Sequence, residues 1–283
     1  MANRIVISGA GGQVGHALAA EAAGRGRDVL ALTSAQWDIT DPEAAARIVA
    51  RGDVVVNCAA FTAVDAAESE PERAHAVNAA APGVIARACA SAGARMIHIS
   101  TDYVFDGSFA GTPRPYEVDD PTGPLSVYGK TKLAGEQAVH AELPDAHVVR
   151  TAWVYTGTGS DFVAVMRRLA AGDDPVTVVV DQVGSPTYSA DLVSALIEIA
   201  DRPQTPPLLH VANEGAASRF EQARMVFDGV GADPDRVRPV SSEDAPRPAA
   251  RPPYSALSGR AAAAAGLTPM RPWRDALAEA IGN

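Results

Sequence analysis

The chain has 283 residues, enough to bury a large core in one domain or in a larger and a smaller lobe. With 47% hydrophobic and 20% charged residues it has the make-up of a globular α/β enzyme, which excludes a disordered or fibrous chain. A formal charge of −10 repels phosphate backbones and anionic lipid, so neither nucleic acid nor a membrane surface is an expected partner.

At the N-terminus Met1-Ala2-Asn3-Arg4 leads directly into Ile5-Val6-Ile7, too short an apolar run for a secretory leader. Nowhere does the sequence hold the roughly 18 uninterrupted apolar residues of a membrane span, and a cytoplasmic location is expected. Short β-branched runs then alternate with alanine-rich segments of helical period. Strands are expected at Arg4–Ser8, Asp28–Leu32, Asp53–Asn57, Arg95–Ser100 and His147–Thr151, and helices at Val14–Gly24, Asp41–Ala50, Glu72–Ser91 and Tyr128–Ala141. Fully apolar strands such as Val54-Val55-Val56 require burial on both faces, so the fold class is α/β with a Rossmann-like, doubly wound parallel sheet.

The first strand runs into Gly9-Ala10-Gly11-Gly12-Gln13-Val14-Gly15. In that position glycines permit a sharp turn, close approach of backbone to a pyrophosphate and a helix start whose amides face the anion. The spacing departs from G-x-G-x-x-G, and a tight strand-to-helix turn without a ligand is the alternative. Strand two ends in Ala31-Leu32-Thr33-Ser34, without the acid that would hold a ribose 2′-OH and repel a 2′-phosphate. NADPH is therefore the expected cofactor, with NADH also accepted, and Thr33 is a candidate contact. Asp38 with Ile39 either flanks the adenine or, for Asp38, serves as an acid at the start of the next helix. Cys58 and Cys89 have neither the number nor the spacing of a disulfide framework or a metal site and read as small buried hydrophobes.

Strand four ends in Ser100-Thr101-Asp102-Tyr103, placing hydroxyls at the carboxyl edge of the sheet, where open α/β sheets bind ligands. Thr101 can donate to a substrate carbonyl oxygen there. Farther on, Tyr128 and Lys132 are four residues apart, one turn apart on the same face of a helix. A neighbouring ammonium stabilises phenolate and eases release of the phenol proton, and the lysine can also reach a nicotinamide ribose. Glycine turn, strand-end hydroxyl and Tyr-Lys pair, in that order, form a set for adding a hydride and a proton to a carbonyl. His75, His98 and His210 read as core or surface residues, and no cluster has metal-ligand spacing.

Past Thr151 the texture changes. Strands are expected at Val176–Val180 and Leu208–Ala212, and helices at Asp161–Ala171, Ala190–Ala200, Arg219–Gly231 and Ala261–Ala265. The run Ala245-Pro246-Arg247-Pro248-Ala249-Ala250-Arg251-Pro252-Pro253 cannot be helical and is either a linker or a loop over a site. Residues 1–151 are expected to bind the dinucleotide, with about 176–200 returning to that unit, and 152–283 to form mostly a smaller, interleaved substrate-binding lobe.

The chain resembles the extended short-chain dehydrogenase/reductase superfamily and, more narrowly, its dTDP-4-dehydrorhamnose reductases. The resemblance rests on the glycine turn, Asn57-Cys58-Ala59-Ala60-Phe61-Thr62-Ala63-Val64-Asp65, Ser100 through Gly107, Val127 through Glu136, Arg150 through Tyr155, and Asp181 through Thr187. It implies a cofactor held by Gly9, Gly12, Gln13, Val14 and Gly15, by Thr33, Asp38 and Ile39, by Ala60, Phe61 and Thr62, and by Tyr128 and Lys132. It further implies Tyr128 as proton donor, with Lys132 and Thr101 as its partners, and Thr101, Asp102, Tyr103 and Trp153 against a dTDP-linked 4-keto-6-deoxyhexose. Arg251 is the expected partner of the pyrophosphate, with a solvated loop charge as the alternative. Trp153 either stacks on the hexose or packs in the core, and Asn78 either turns toward the cofactor or is solvated.

The chain departs from the family pattern at Ser160-Asp161-Phe162, where some relatives carry paired asparagines, and at Ala256, where an arginine is often found. Some relatives form a magnesium-linked dimer; here no metal requirement is expected, and the chain is expected to be a monomer or homodimer. The alternatives are another sugar-nucleotide 4-ketoreductase of deoxysugar tailoring and a cofactor-binding regulatory subunit of the same fold. The complete set of Thr101, Tyr128 and Lys132 favours an enzyme over the latter.

Overall fold

The computed structural model describes residues 3–282. Four consecutive buried residues make β1 (Ile5–Ser8), and the glycine turn opens α1 (Gln13–Gly24). The alternation continues through β2 (Val29–Leu32), α2 (Pro42–Ile48), β3 (Val54–Asn57) and α3 (Val64–Ser69). At the start of α2, Asp41 accepts from the Glu43 N–H, and Pro42 occupies a first-turn position whose N–H would lack a helical partner anyway.

The single helix expected over Glu72–Ser91 is a composite: α4 (Pro71–His75) passes through a π turn at Ala76–Ala80 into α5 (Ala81–Ala92). The physical reason is Pro82, which has no N–H to give the Asn78 carbonyl, so the regular ladder fails there. Next come β4 (Arg95–Thr101), α6 (Val127–Glu142) and β5 (His147–Thr151).

The second half supplies β6 (Val154–Tyr155), α7 (Phe162–Ala170), β7 (Val176–Val179), β8 (Val183–Gly184) and β9 (Thr187–Tyr188). It continues with α8 (Ser189–Asp201), β10 (Leu208–His210), β11 (Ala217–Ser218), α9 (Arg219–Gly229) and β12 (Val237–Val240). Short α10 (Arg260–Ala264) and the C-terminal α11 (Trp273–Gly282) complete the order.

Six parallel strands form the main sheet in the order β10-β5-β4-β3-β1-β2. Chain direction across the sheet reverses between β1 and β3, and the carboxyl ends of those strands open the crevice that the glycine turn borders. Helices α1 and α8 cover one face, packing Leu18 and Ala22 with Leu192 and Leu196. On the other face Ala45 of α2 and Ile85 and Cys89 of α5 meet Val55, Met96 and Val148. A separate core gathers Tyr155, Phe227, Trp273 and Leu277 in the second half.

The stretch that comes back to the main sheet is 189–210, through α8 and β10. Val176–Val179 instead pairs with β12 in a sheet of its own, because its partner residues Val237–Val240 lie in the second half as well. The proline-rich run has no helix. It crosses to the main sheet's side of the molecule, where Asp65 of α3 accepts from Arg247, Ala249 and Arg251.

Candidate active site

A cleft of about 1260 Å³ opens along the carboxyl edge of the sheet. Gly9, Gly12, Gln13 and Val14 line one end with Thr33, Asp38 and Ile39, and Ala60, Phe61 and Thr62 line the middle. The turn has the shape of a cradle that side chains would fill. Gly9 has φ +68°, and a Cβ on it would stand 2.7 Å from the Ala59 Cα. Gly15 is buried behind the turn, where a Cβ would overlap the Gly9 carbonyl, so it shapes the cradle and does not face the cleft.

Neighbouring groups are already fixed. The Thr33 hydroxyl donates to Gln36 Oε1 at 3.0 Å, and Asp38 Oδ1 accepts from the backbone and hydroxyl of Thr40 at 2.9 and 2.7 Å. Those bonds hold the Asp38 carboxyl below its usual range, and the acid that caps α2 is Asp41. Buried Asn78, on the π turn, accepts from Phe61 N–H at 2.8 Å and donates to the Phe61 carbonyl at 3.0 Å. It therefore fixes the loop that lines the cleft, and its second N–H goes to the Thr131 hydroxyl of α6 at 3.2 Å, so both amide donors are engaged within the protein. Gln13 reaches across to Asp161 at 3.4 Å, linking the glycine turn to the cap of α7.

Thr101, Tyr128 and Lys132 meet on the opposite wall. Ser126 caps α6 by accepting from Gly129 N–H, and Gly129 lets the start of α6 press on the Tyr103 carbonyl, which sets Tyr128 against the end of β4. Loss of water around the phenol pushes its pKa up, and the Thr101 hydroxyl draws it only partly back. Lys132 is 2% exposed and donates to the Ile99 carbonyl at 2.6 Å. Its burial brings the ammonium down to about 8 against the pull of Glu136. The Lys132 ammonium is turned to the Ile99 carbonyl, and the groups that act on the phenol are Thr101, Asp102 and Tyr103.

Behind this wall lies a buried network. Glu136 takes a 2.5 Å bond from Ser100 and a two-pronged contact from Arg150, with 2.7 Å at the shorter ion-pair distance. It ties α6 to β4 and β5 and so fixes the register of Lys132.

Asp102 lines the cleft, buried, with its carboxylate between the hydroxyls of Thr101 at 3.1 Å and Ser255 at 2.5 Å. Burial pushes it up to about 6 although both hydroxyls favour the charged form. Tyr103 stands off the cleft with its ring edge-on to Tyr128 at 5.6 Å, where it supports the phenol. Trp153 lines the cleft; the Arg219 guanidinium lies 3.6 Å from its ring centroid, so the face beneath that guanidinium is covered. Arg251 also lies outside the main cleft, on a second cavity of about 240 Å³, bonded to both oxygens of Asp65 at 3.0 Å.

Sequence reasoning passed over Arg219, Ser255 and the pairing of Asp65. Only Ser218-Arg219-Phe220-Glu221 carries a local signal: Ser218 and Glu221 form a reciprocal capping box that puts Arg219 at the first residue of α9. Cys58 borders the cleft and Cys89 is buried, and lost hydration pushes both thiols up to about 12, which leaves them unreactive. Among the described residues no three His, Cys, Asp or Glu side chains converge as a metal site, and no helix is long and apolar enough to cross a membrane.

The family model of the RmlD substrate binding domain matches residues 3–283. The dTDP-4-dehydrorhamnose reductase of Mycolicibacterium smegmatis is 64% identical over 282 residues, 99% of this chain and 86% of that protein. That of Mycobacterium tuberculosis is 65% identical over 280 residues, covering 98% of this chain and 92% of the relative. The crystal structure of dTDP-4-dehydrorhamnose reductase from Bacillus anthracis in complex with NADP superposes with a TM-score of 0.93 at 35% identity, over 99% of this chain and 98% of that one. Likeness of this extent spans the glycine turn, the Thr101, Tyr128 and Lys132 wall and the second lobe alike, and the chain belongs to the RmlD family, that of the dTDP-4-dehydrorhamnose reductases.

Proposed function

We propose that the chain reduces the C4 keto group of dTDP-4-dehydro-L-rhamnose to give dTDP-L-rhamnose, with NADPH as reductant and NADH as a second accepted cofactor. The observation that carries this reading is that Thr101, Tyr128 and Lys132 line the same cleft as the glycine cradle. The open cradle at Gly9 and Gly12, and a β2 end with Thr33 and Ser34 in place of an acid, fit a phosphorylated dinucleotide. Gln13, Val14, Asp38, Ile39, Ala60, Phe61 and Thr62 would hold it along the rest of the cleft. NADPH, when bound, supplies the hydride that adds to the sugar's C4.

Tyr128 gives its phenolic proton to the oxygen at C4 as negative charge develops there. A phenol kept neutral by its surroundings is the form a reductase needs at this step. The Thr101 hydroxyl stabilises the developing charge and then the tyrosinate, which takes a proton back from solvent. Lys132 supplies the positive charge on the same wall. Asp102 and Trp153 hold the hexose.

The test supplies the purified protein with dTDP-4-dehydro-L-rhamnose and each reduced cofactor in turn. Oxidation of NADPH in step with formation of dTDP-L-rhamnose is expected. Turnover of a different 4-keto nucleotide sugar with none of this one would replace the substrate assignment. Cofactor binding with no turnover of any would favour the regulatory subunit instead.

A further inference from the structure

Three cations line the main cleft: Arg73, Lys132 and Arg219. Arg73 pairs with Glu70 at 2.9 Å, and Lys132 is committed to the Ile99 carbonyl. Just outside, Arg247 and Arg251 share the carboxylate of Asp65. Arg219 differs from all of these. Its guanidinium lies 3.6 Å from the centroid of Trp153 and 4.8 Å from that of Phe162, and its hydrogen bond goes to neutral Gln222 Oε1 at 3.2 Å. Among the described residues it makes no ion pair within 4.0 Å.

Aromatic rings satisfy the faces of a guanidinium but not the N–H donors on its edge, of which there are five. With one donor on Gln222, the rest of the edge is free for the forked contact that arginine makes with phosphate oxygens. Loss of water already weighs on this cation, drawing it down to about 10 despite the attraction of Tyr103 and Asp102, and the nearby positive charge of Arg251 adds to that cost. An anion arriving at the cleft relieves both.

We propose that Arg219 is the diphosphate-gripping residue of this enzyme and selects nucleoside diphosphate sugars over free sugars. The inference rests on the substrate class of the preceding section and moves the phosphate contact from Arg251, whose guanidinium is already held on both oxygens of Asp65, to Arg219. Placement beside Trp153 and Asp102 suits the linker, which is bonded directly to the hexose that those residues would hold.

The test measures equilibrium binding of dTDP, thymidine and NADPH to the wild type, R219Q, R219K and R251Q by titration calorimetry. R219Q is expected to weaken dTDP at least about tenfold, the scale of a lost charge-assisted contact, while thymidine and NADPH change less than about twofold. R251Q is expected to weaken dTDP less than R219Q does. Unchanged dTDP affinity in R219Q, or equal losses for dTDP and thymidine, overturns the inference, the second outcome marking a structural role through Trp153. If R219Q fails to hold NADPH, R219K decides: a several-fold loss confined to dTDP is expected, and no loss overturns. Turnover by the wild type is scored separately, so dTDP binding that depends on Arg219 without turnover defeats only the proposed reaction. A wild type that binds no dTDP defeats both.

Discussion

Gly184 lies so close against the indole of Trp153 that a Cβ on it would stand 2.5 Å from Cε2 and 2.7 Å from Nε1. Trp153 is also the one non-glycine residue among those described with positive φ, at 47°, a conformation that costs on the order of 1 to 3 kcal/mol. The β6 pairing that follows, the Gly184 backbone and the Arg219 guanidinium together hold the ring in place. Substitution of Gly184 by Ala is expected to dislodge the indole and raise KM for the sugar nucleotide about tenfold with little change in NADPH affinity. Steady-state kinetics alongside tryptophan fluorescence checks this, and an unchanged KM would show that the ring does not touch the sugar.

Tyr128→Phe removes the proton but leaves the wall of the cleft. The expected result is a fall in kcat of at least about 100-fold with NADPH still bound. Activity close to that of the wild type would remove Tyr128 from the mechanism.

Because the phenol pKa is pushed up, the alkaline limb of activity belongs to Lys132, whose charge is present below about 8 and lost above it. The kcat/KM profile is expected to fall as pH rises through that value, and Lys132→Met should flatten it at a much lower plateau. A wild-type profile level across that range would count against this role.

Asp102 binds its proton more tightly in the folded chain than in the unfolded one, with its pKa raised from 3.8 to about 6. The stability this group contributes is therefore fully present below about 4 and is lost as pH rises through 6, a change on the order of 2 to 3 kcal/mol at most. Asp102→Asn has no such dependence. Urea unfolding across this interval should show the wild type losing stability relative to the variant as pH rises; a constant difference would mean that the carboxyl is not raised.

Glu136 and Arg150 are each 4% exposed, so cutting the pair leaves an uncompensated charge inside the sheet. Glu136→Gln is expected to cost about 3 to 5 kcal/mol, and pairing it with Arg150→Met should recover much of that. Thermal unfolding of the single and double variants measures both. No loss in the single variant, or a double variant no more stable than the single, would refute a paired, buried network.

Much of the main sheet is written locally. β1 and β3 are runs of four residues all buried, and Tyr128 and Lys132 announce themselves by one helical turn. The contacts that organise the far side of the cleft are not local: Ser255 and Asp102 are 153 residues apart, Arg251 and Asp65 186. No period or motif encodes such meetings, which exist only once the second lobe is in place. The break at Pro82 was readable from its missing N–H, yet the alanine-rich helical period around it pointed to one unbroken helix. The spacing of Trp273, Leu277 and Ile281 likewise carried the inward face of α11 without the helix being expected.

The order in which the main sheet is assembled has a consequence for synthesis. Its edge strand β10 and the helix that covers Leu18 and Ala22 of α1 both come from 189–210, after β6 to β9 have been made. A nascent chain that has just finished β5 therefore carries the complete glycine turn, Tyr128 and Lys132, yet has one flank of its sheet unpaired and the apolar stripe of α1 bare. Until some sixty further residues emerge, that stripe is a surface for a chaperone or for a neighbouring chain.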